Sequence, residues 1–166
     1  SETRTLLGFS FLYSFLVLVI LSVVSYLYYQ FQKDLMLQEK RQVLQNYSND
    51  LIFRLKDLHV NIDKNNIYPR DERFNSAIFD SNKKKIFSTL KSNDVSLDDI
   101  IYLSHNQIHF IKEPESYYLG SKYIIIEIPD DHLWFEEIKY KMIISFLAAF
   151  LFMILIGYFI SKLFLD

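Results

Sequence analysis

Charge stops abruptly near both ends of this chain. No Asp, Glu, Lys or Arg occurs among the 28 residues between Arg4 and Lys33, nor among the 20 between Lys141 and Lys162. A helix rises about 1.5 Å per residue, so about 20 residues cross a hydrocarbon layer about 30 Å thick. Leu6 to Tyr29 and Met142 to Ser161 both meet that requirement. The rest of the chain is too small to wrap two such helices on every side, which argues against a pair of buried core helices. Tyr26, Tyr28 and Tyr29 close the first stretch, and Trp134 and Tyr140 precede the second. Such rings favour the headgroup level, where an apolar body and a polar tip are both satisfied. The first stretch is too long for a signal peptide, and no small-residue cleavage site follows it.

Of 18 Lys and Arg and 20 Asp and Glu, all but Arg4, Lys162, Glu2 and Asp166 fall within residues 30–141. The overall apolar content of 51% is therefore an average over two environments. An aromatic content of 17% excludes a disordered chain. A net charge of −2 without a basic stripe argues against nucleic acid as the partner. Two spans put both termini on one side of a membrane and residues 30–141 on the other. Charge does not choose the side, because loops longer than about 60 residues escape the positive-inside rule. The absence of Cys is compatible with an oxidising compartment.

The middle reads as one small domain. Residues 30–60 hold helix formers and no Gly or Pro, and Leu37, Leu44, Leu51 and Leu58 recur every seven residues beside Tyr47, Leu55 and Ile62. This is one apolar stripe on a helix that continues out of the first span. It packs on the domain's own sheet or forms a parallel dimer seam, since a seven-residue repeat keeps one face toward a partner. Lys40 and Arg54 at the opposite seam position favour packing within the domain. After Pro69, the runs Phe74–Asp80 and Lys85–Leu90 flank a turn at Ser81–Lys84 and predict a β-hairpin. Asp94–Asp99 offers N-cap residues and room for one helical turn. A second hairpin is predicted from Ile100–Ser104 and Ile108–Lys112 around His105-Asn106-Gln107. The last strand, Lys122–Ile128, carries Ile124-Ile125-Ile126, a run suited to a central position buried on both sides. Pro129 stops it, and Asp130 caps a helix that enters the second span.

At this point the chain resembles a known family. Tyr68-Pro69-Arg70, Phe74-Asn75-Ser76-Ala77-Ile78-Phe79-Asp80 and Lys85-Ile86-Phe87-Ser88 resemble the opening hairpin of PAS-like sensor modules of periplasmic type. Gly157-Tyr158-Phe159-Ile160-Ser161-Lys162-Leu163-Phe164-Leu165 resembles the exit from the second span in epsilonproteobacterial sensor histidine kinases. By layout the resemblance covers the whole chain; by motif it covers these segments. It implies an α+β fold in which two transmembrane helices flank a PAS-like domain with a long N-terminal helix and a five-stranded antiparallel sheet. The implied organisation is a cytoplasmic stub (1–5), a first transmembrane helix (6–29), a periplasmic sensor domain (30–141), a second transmembrane helix (142–161) and the start of a cytoplasmic linker (162–166). The implied location is the bacterial inner membrane. The chain begins at Ser1 rather than Met, and the expectation is a longer protein whose kinase core follows Asp166.

That core would use ATP and Mg²⁺, autophosphorylate on His and pass the phosphate to a response regulator. This segment carries no catalytic residues and no expected cofactor; its expected partners are a second copy of itself and membrane lipid. His59, His105, His109 and His132 all lie in the middle, so none is the phospho-acceptor. The rival readings are the same layout on a chemoreceptor or cyclic-nucleotide enzyme, or a non-signalling two-span anchor.

Candidate stimulus sites follow from residue chemistry. His105 and His109 flank a short turn, and facing imidazoles would bind Zn²⁺ or Cu²⁺, or repel when both protonate. The competing reading is a pair of exposed hairpin histidines. Asp130 and Asp131, with Glu136 and Glu137, form an acidic patch suited to divalent cations at anionic headgroups, or simply a solvated helix start. Arg70 and Arg73 would bind an anionic ligand, or pair with Asp71 and Glu72 in a surface turn. Phe74, Phe79, Phe87, Tyr102, Phe110 and Tyr123 are read as core, with a pocket lining as the alternative.

Overall fold

The computed structural model describes residues 2–60, 68–92 and 94–165. Ile62, read above as part of the apolar stripe, lies outside them. No Gly or Pro occurs between Gly8 and Val60, so no helix-breaking residue interrupts that stretch. Helix α1 accordingly runs unbroken over Glu2–Val60. Strands β1 (Asn75–Phe79), β2 (Lys85–Ser88), β3 (Ile101–Ser104), β4 (Gln107–Lys112) and β5 (Tyr123–Pro129) follow, and then helix α2 (Leu133–Leu165). The fold is α+β, with two long helices and one five-stranded antiparallel sheet in the order β2-β1-β5-β4-β3.

Contacts divide the chain into two compact units, one from the residues up to Asp34 and from His132 onward, the other Leu35–Asp131. In the first unit α1 packs on α2. Gly157 makes room for the Tyr13 ring, which any side chain there would meet. The Tyr13 hydroxyl donates to the Met153 carbonyl at 2.8 Å. Further along, the Tyr29 ring lies 5.5 Å from Trp134 and 5.8 Å from Phe135. Both helices are long and apolar enough to cross a membrane, and only 6% of the most apolar stretch of each is buried.

In the second unit, local chemistry closes the two hairpins. Asp80 Oδ1 accepts the N–H groups of Asn82 and Lys84, which bends the chain between β1 and β2. His105 and Asn106 have φ of 52° and 61°. Ser104 pairs with Gln107, so these two residues alone make the β3–β4 turn, and positive φ at both central positions suits the strand twist.

β5 sits between β1 and β4, as its isoleucine run predicts. Alternation sorts the sheet into two faces. One carries Ser76, Ile78, Ile108, Phe110, Ile124 and Ile126, all buried. Phe74 shares that parity and stacks on Tyr47 of α1 at 5.1 Å. The stripe residues Leu37, Leu44 and Leu51, with Leu55, are buried within this one chain, and Leu58 is half-buried. The stripe therefore belongs to the domain's own core rather than to an open seam.

Strands β2 and β3 lie at opposite edges, about 19 Å apart at about 4.8 Å per strand spacing. The segment that joins them must cross one face of the sheet. It crosses the face opposite α1, as the hydrogen bonds below show. The helical turn expected at Asp94–Asp99 does not form. The Ser96 N–H is donated to a sheet side chain instead of to a carbonyl one turn back.

Candidate functional site

The crossed face carries an uninterrupted polar row. Tyr102 of β3 is in register with His109 of β4, His109 with Glu127 of β5, and Glu127 with Asn75 of β1. His109 and Glu127 are fully buried, and His109 Nε2 lies 2.9 Å from Glu127 Oε2. The other carboxylate oxygen, Oε1, accepts from Asn75 Nδ2 at 3.1 Å and from the Lys91 N–H at 3.0 Å. The Tyr102 ring stacks on the His109 ring at 4.8 Å. Its hydroxyl accepts the Ser96 N–H at 3.1 Å.

Two backbone groups of the crossing segment, Lys91 and Ser96, are thus held by two members of this row, Glu127 and Tyr102. Burial opposes ionisation of Glu127. The Lys91 N–H, the Asn75 amide and His109 outweigh it and hold the carboxyl below its ordinary range. Burial raises the Tyr102 phenol, against the Ser96 N–H, with Asp99 and Glu127 adding to the rise. Glu127 is therefore the anionic acceptor and Tyr102 a neutral one. Beside the row is a cleft of about 390 Å³ lined by Lys91, Ser92, Asp94, His105 and Gln107. A second, of about 440 Å³, runs under the same segment between Phe79, Ser88, Leu90 and Val95.

The structure does not bring His105 and His109 face to face. A two-residue turn sets Tyr102 opposite His109 and leaves His105 exposed at the tip, 2.8 Å from Ser104 Oγ. Asp130 and Asp131 close the sheet unit, and the Asp130 N–H is donated to the Asn106 carbonyl at 3.0 Å. Glu136 in α2 pairs with Lys139 at 3.0 Å. Among the described residues no group of three or more His, Asp and Glu is placed to hold a metal ion.

Arg70 and Arg73 are taken up by their neighbours. The Arg70 guanidinium lies 5.7 Å from the Phe87 ring. Arg73 grips Asp71 through Nε at 3.0 Å and Nη2 at 2.8 Å, and reaches Asp50 of α1 at 3.1 Å. Arg54 of α1 lies 3.3 Å from Asp71. These pairs fasten the 70–73 loop to α1. The Arg73 side-chain hydrogen bond, working against burial, leads in holding Asp71 at about 2, below its ordinary 3.8. A depressed folded value means that this fastening is complete above the ordinary value and is lost as pH falls toward about 2. The Arg73 Nε–H resonance is expected to lose its bonded shift over that acid range in the intact chain. In Asp71→Asn the acid step should be absent.

Glu127, Asn75 and Gln107 were not foreseen as site residues. The available signal was Glu127 itself, a lone charge in Ile124-Ile125-Ile126-Glu127-Ile128. A carboxylate there requires partners, because burying an unpaired charge costs far more than one strand returns. Searches against protein-family models, curated proteins and solved structures found no match for this chain.

Proposed function

We propose that this chain is the transmembrane input module of a bacterial two-component sensor histidine kinase. Residues 30–141 form a periplasmic PAS-like domain between two membrane-spanning helices. The module works as a homodimer in the inner membrane and passes a helix shift to a cytoplasmic kinase. That kinase uses ATP and Mg²⁺ to autophosphorylate on His and then phosphorylates a response regulator. The stimulus is a proton, a metal ion or a small ligand, received on the face of the sheet that Lys91 and Ser96 lie against.

One observation carries the reading: the sheet is wired into both apolar helices. α1 contributes its residues from Leu35 onward to the sheet unit, and β5 is followed by α2 after three residues, Asp130 to His132. In this reading a change in the sheet is passed along the backbone to both helices. Packed helices switch between discrete arrangements, with shifts of about 1–2 Å. The stimulus must favour one of them.

Deletion of residues 61–129 in the complete protein tests this. The expected result is kinase output that no longer follows any external condition. Output and phenotype unchanged by the deletion would favour the non-signalling anchor.

A further inference from the structure

The α1–α2 pair of the first unit is grooved near both ends, and the two grooves are built alike. The larger, about 610 Å³, lies between residues 21–28 of α1 and 141–149 of α2. Its inner part is walled by Leu21, Val24, Phe146 and Ala149. Lys141 and Tyr28 stand at its outer end, with Ser145 and Ser25 about one turn further in. The smaller, about 320 Å³, has Lys162 and Ser161 at its outer end and Tyr158 and Ser10 further in. From Lys141 to Ala149 a helix advances about 12 Å, most of the depth of one hydrocarbon leaflet. The 20 residues between Lys141 and Lys162 cover about 30 Å, so the two lysines stand one hydrocarbon thickness apart.

The polar groups of the larger groove are uncommitted donors. Lys139 is held by Glu136 at 3.0 Å, whereas Lys141 has no ion-pair partner among the described residues. Ser22 returns its hydroxyl to the Leu18 carbonyl at 2.8 Å. The hydroxyls of Ser25, Tyr28 and Ser145 have no such partner among the described residues. An ammonium and three hydroxyls, with no carboxylate in the lining, suit a ligand whose polar end is anionic and accepts hydrogen bonds. The apolar part suits a hydrocarbon chain.

We propose that the larger groove binds an anionic phospholipid: one acyl chain lies between α1 and α2, its ester oxygens meet Ser25 and Ser145, and its phosphate meets Lys141 and Tyr28. A zwitterionic headgroup brings its own ammonium, for which the groove has no carboxylate, so the anionic headgroup is preferred. A second copy of the chain suits the groove less well. Residues 5–32 and 142–161 contain no Asp or Glu to meet Lys141, and a helix about 10 Å across would cover the groove without filling it. A chain wedged between two helices stabilises the arrangement that admits it, so the lipid biases the helix shift. The site deepens the input-module reading and rests on its membrane-spanning part.

Met142 lines the groove and reports on it, whereas Met36, buried in the sheet unit, serves as the control. The test is NMR of the complete chain, labelled at methionine methyls, in phosphatidylcholine nanodiscs to which phosphatidylglycerol is added. The Met142 signal is expected to shift and saturate while Met36 stays still. Lys141→Gln should raise the phosphatidylglycerol fraction needed for half-saturation about fivefold, the loss of one cation beside an anionic headgroup. Lys33→Gln removes the same charge outside the groove and should leave the curve unchanged. Ala149→Phe fills the apolar part and should hold Met142 still. A Met142 signal indifferent to phosphatidylglycerol overturns the site, as does equal weakening by the two lysine variants. Ser145→Cys that crosslinks two copies while Met142 ignores the lipid would give the groove to a second copy instead. The wild-type titration needs no variant to fold. A saturating lipid site together with a kinase indifferent to deletion of residues 61–129 would overturn the input-module reading and leave the site standing.

Discussion

Replacing Glu127 by Ala is expected to destabilise the sheet unit by about 3–5 kcal/mol, the range for breaking a buried ionic or hydrogen-bonded pair by removing one partner. The substitution orphans three donors at once: Asn75 Nδ2, the Lys91 N–H and His109 Nε2. The His109 donor is fully buried and the other two are part-buried, so the desolvation penalty falls chiefly on His109. Glu127→Gln keeps an oxygen for the Lys91 N–H and should cost clearly less. Urea unfolding of the intact chain in detergent, followed by far-ultraviolet circular dichroism, measures both. The pH dependence has a definite sign. Because the folded carboxyl titrates below its ordinary value, its contribution is complete above that value and fades as the solution is acidified through the folded one. The wild type should weaken in acid, whereas Glu127→Ala should lose that part of its acid sensitivity.

The second large effect concerns the leucine stripe. Leu44 and Leu51 are 0% and 1% exposed within a single chain. Leu44→Ala or Leu51→Ala should each cost about 2–5 kcal/mol of unfolding free energy, and the loss should not depend on protein concentration. Cysteines at the same positions should remain unreactive between subunits. The outward side of α1 is different, because Phe53 is 70% exposed and Asn46 is exposed too. Single cysteines there should crosslink in membranes if the proposed homodimer pairs along α1. Crosslinking at Leu44 or Leu51 instead would mean that the helix turns its stripe away from its own sheet.

Much of the architecture could be read from residues one after another. The apolar helices follow from charge gaps, and the first hairpin from two aromatic and β-branched runs around the turn Ser81–Lys84. The central place of β5 follows from three consecutive isoleucines. The site was harder because it depends on register, which no single strand encodes. His105 and His109 straddle a turn and invite the idea of facing imidazoles. A turn of two residues instead of three moves the partner of His109 to Tyr102. Only then do Tyr102, His109, Glu127 and Asn75, taken from four strands, fall into one row. The crossing segment departs from its local propensity for a related reason. Its Asp and Ser residues favour a helix cap locally, but the strand order requires it to span the sheet.

That strand order also governs when the sheet can form. β1 with β2, and β3 with β4, close locally as soon as they are made. The two hairpins do not pair with each other directly; β5, the last strand in sequence, slots between them. The pairing of Asn75 with Glu127 closes a separation of 52 positions. Distant contacts form slowly, and unmated strand edges invite association in the meantime. Only three residues then separate β5 from α2. For a chain emerging in order, completion of the sheet nearly coincides with delivery of the second apolar helix, and a pause between Lys112 and Tyr123 leaves both hairpins open to aggregation.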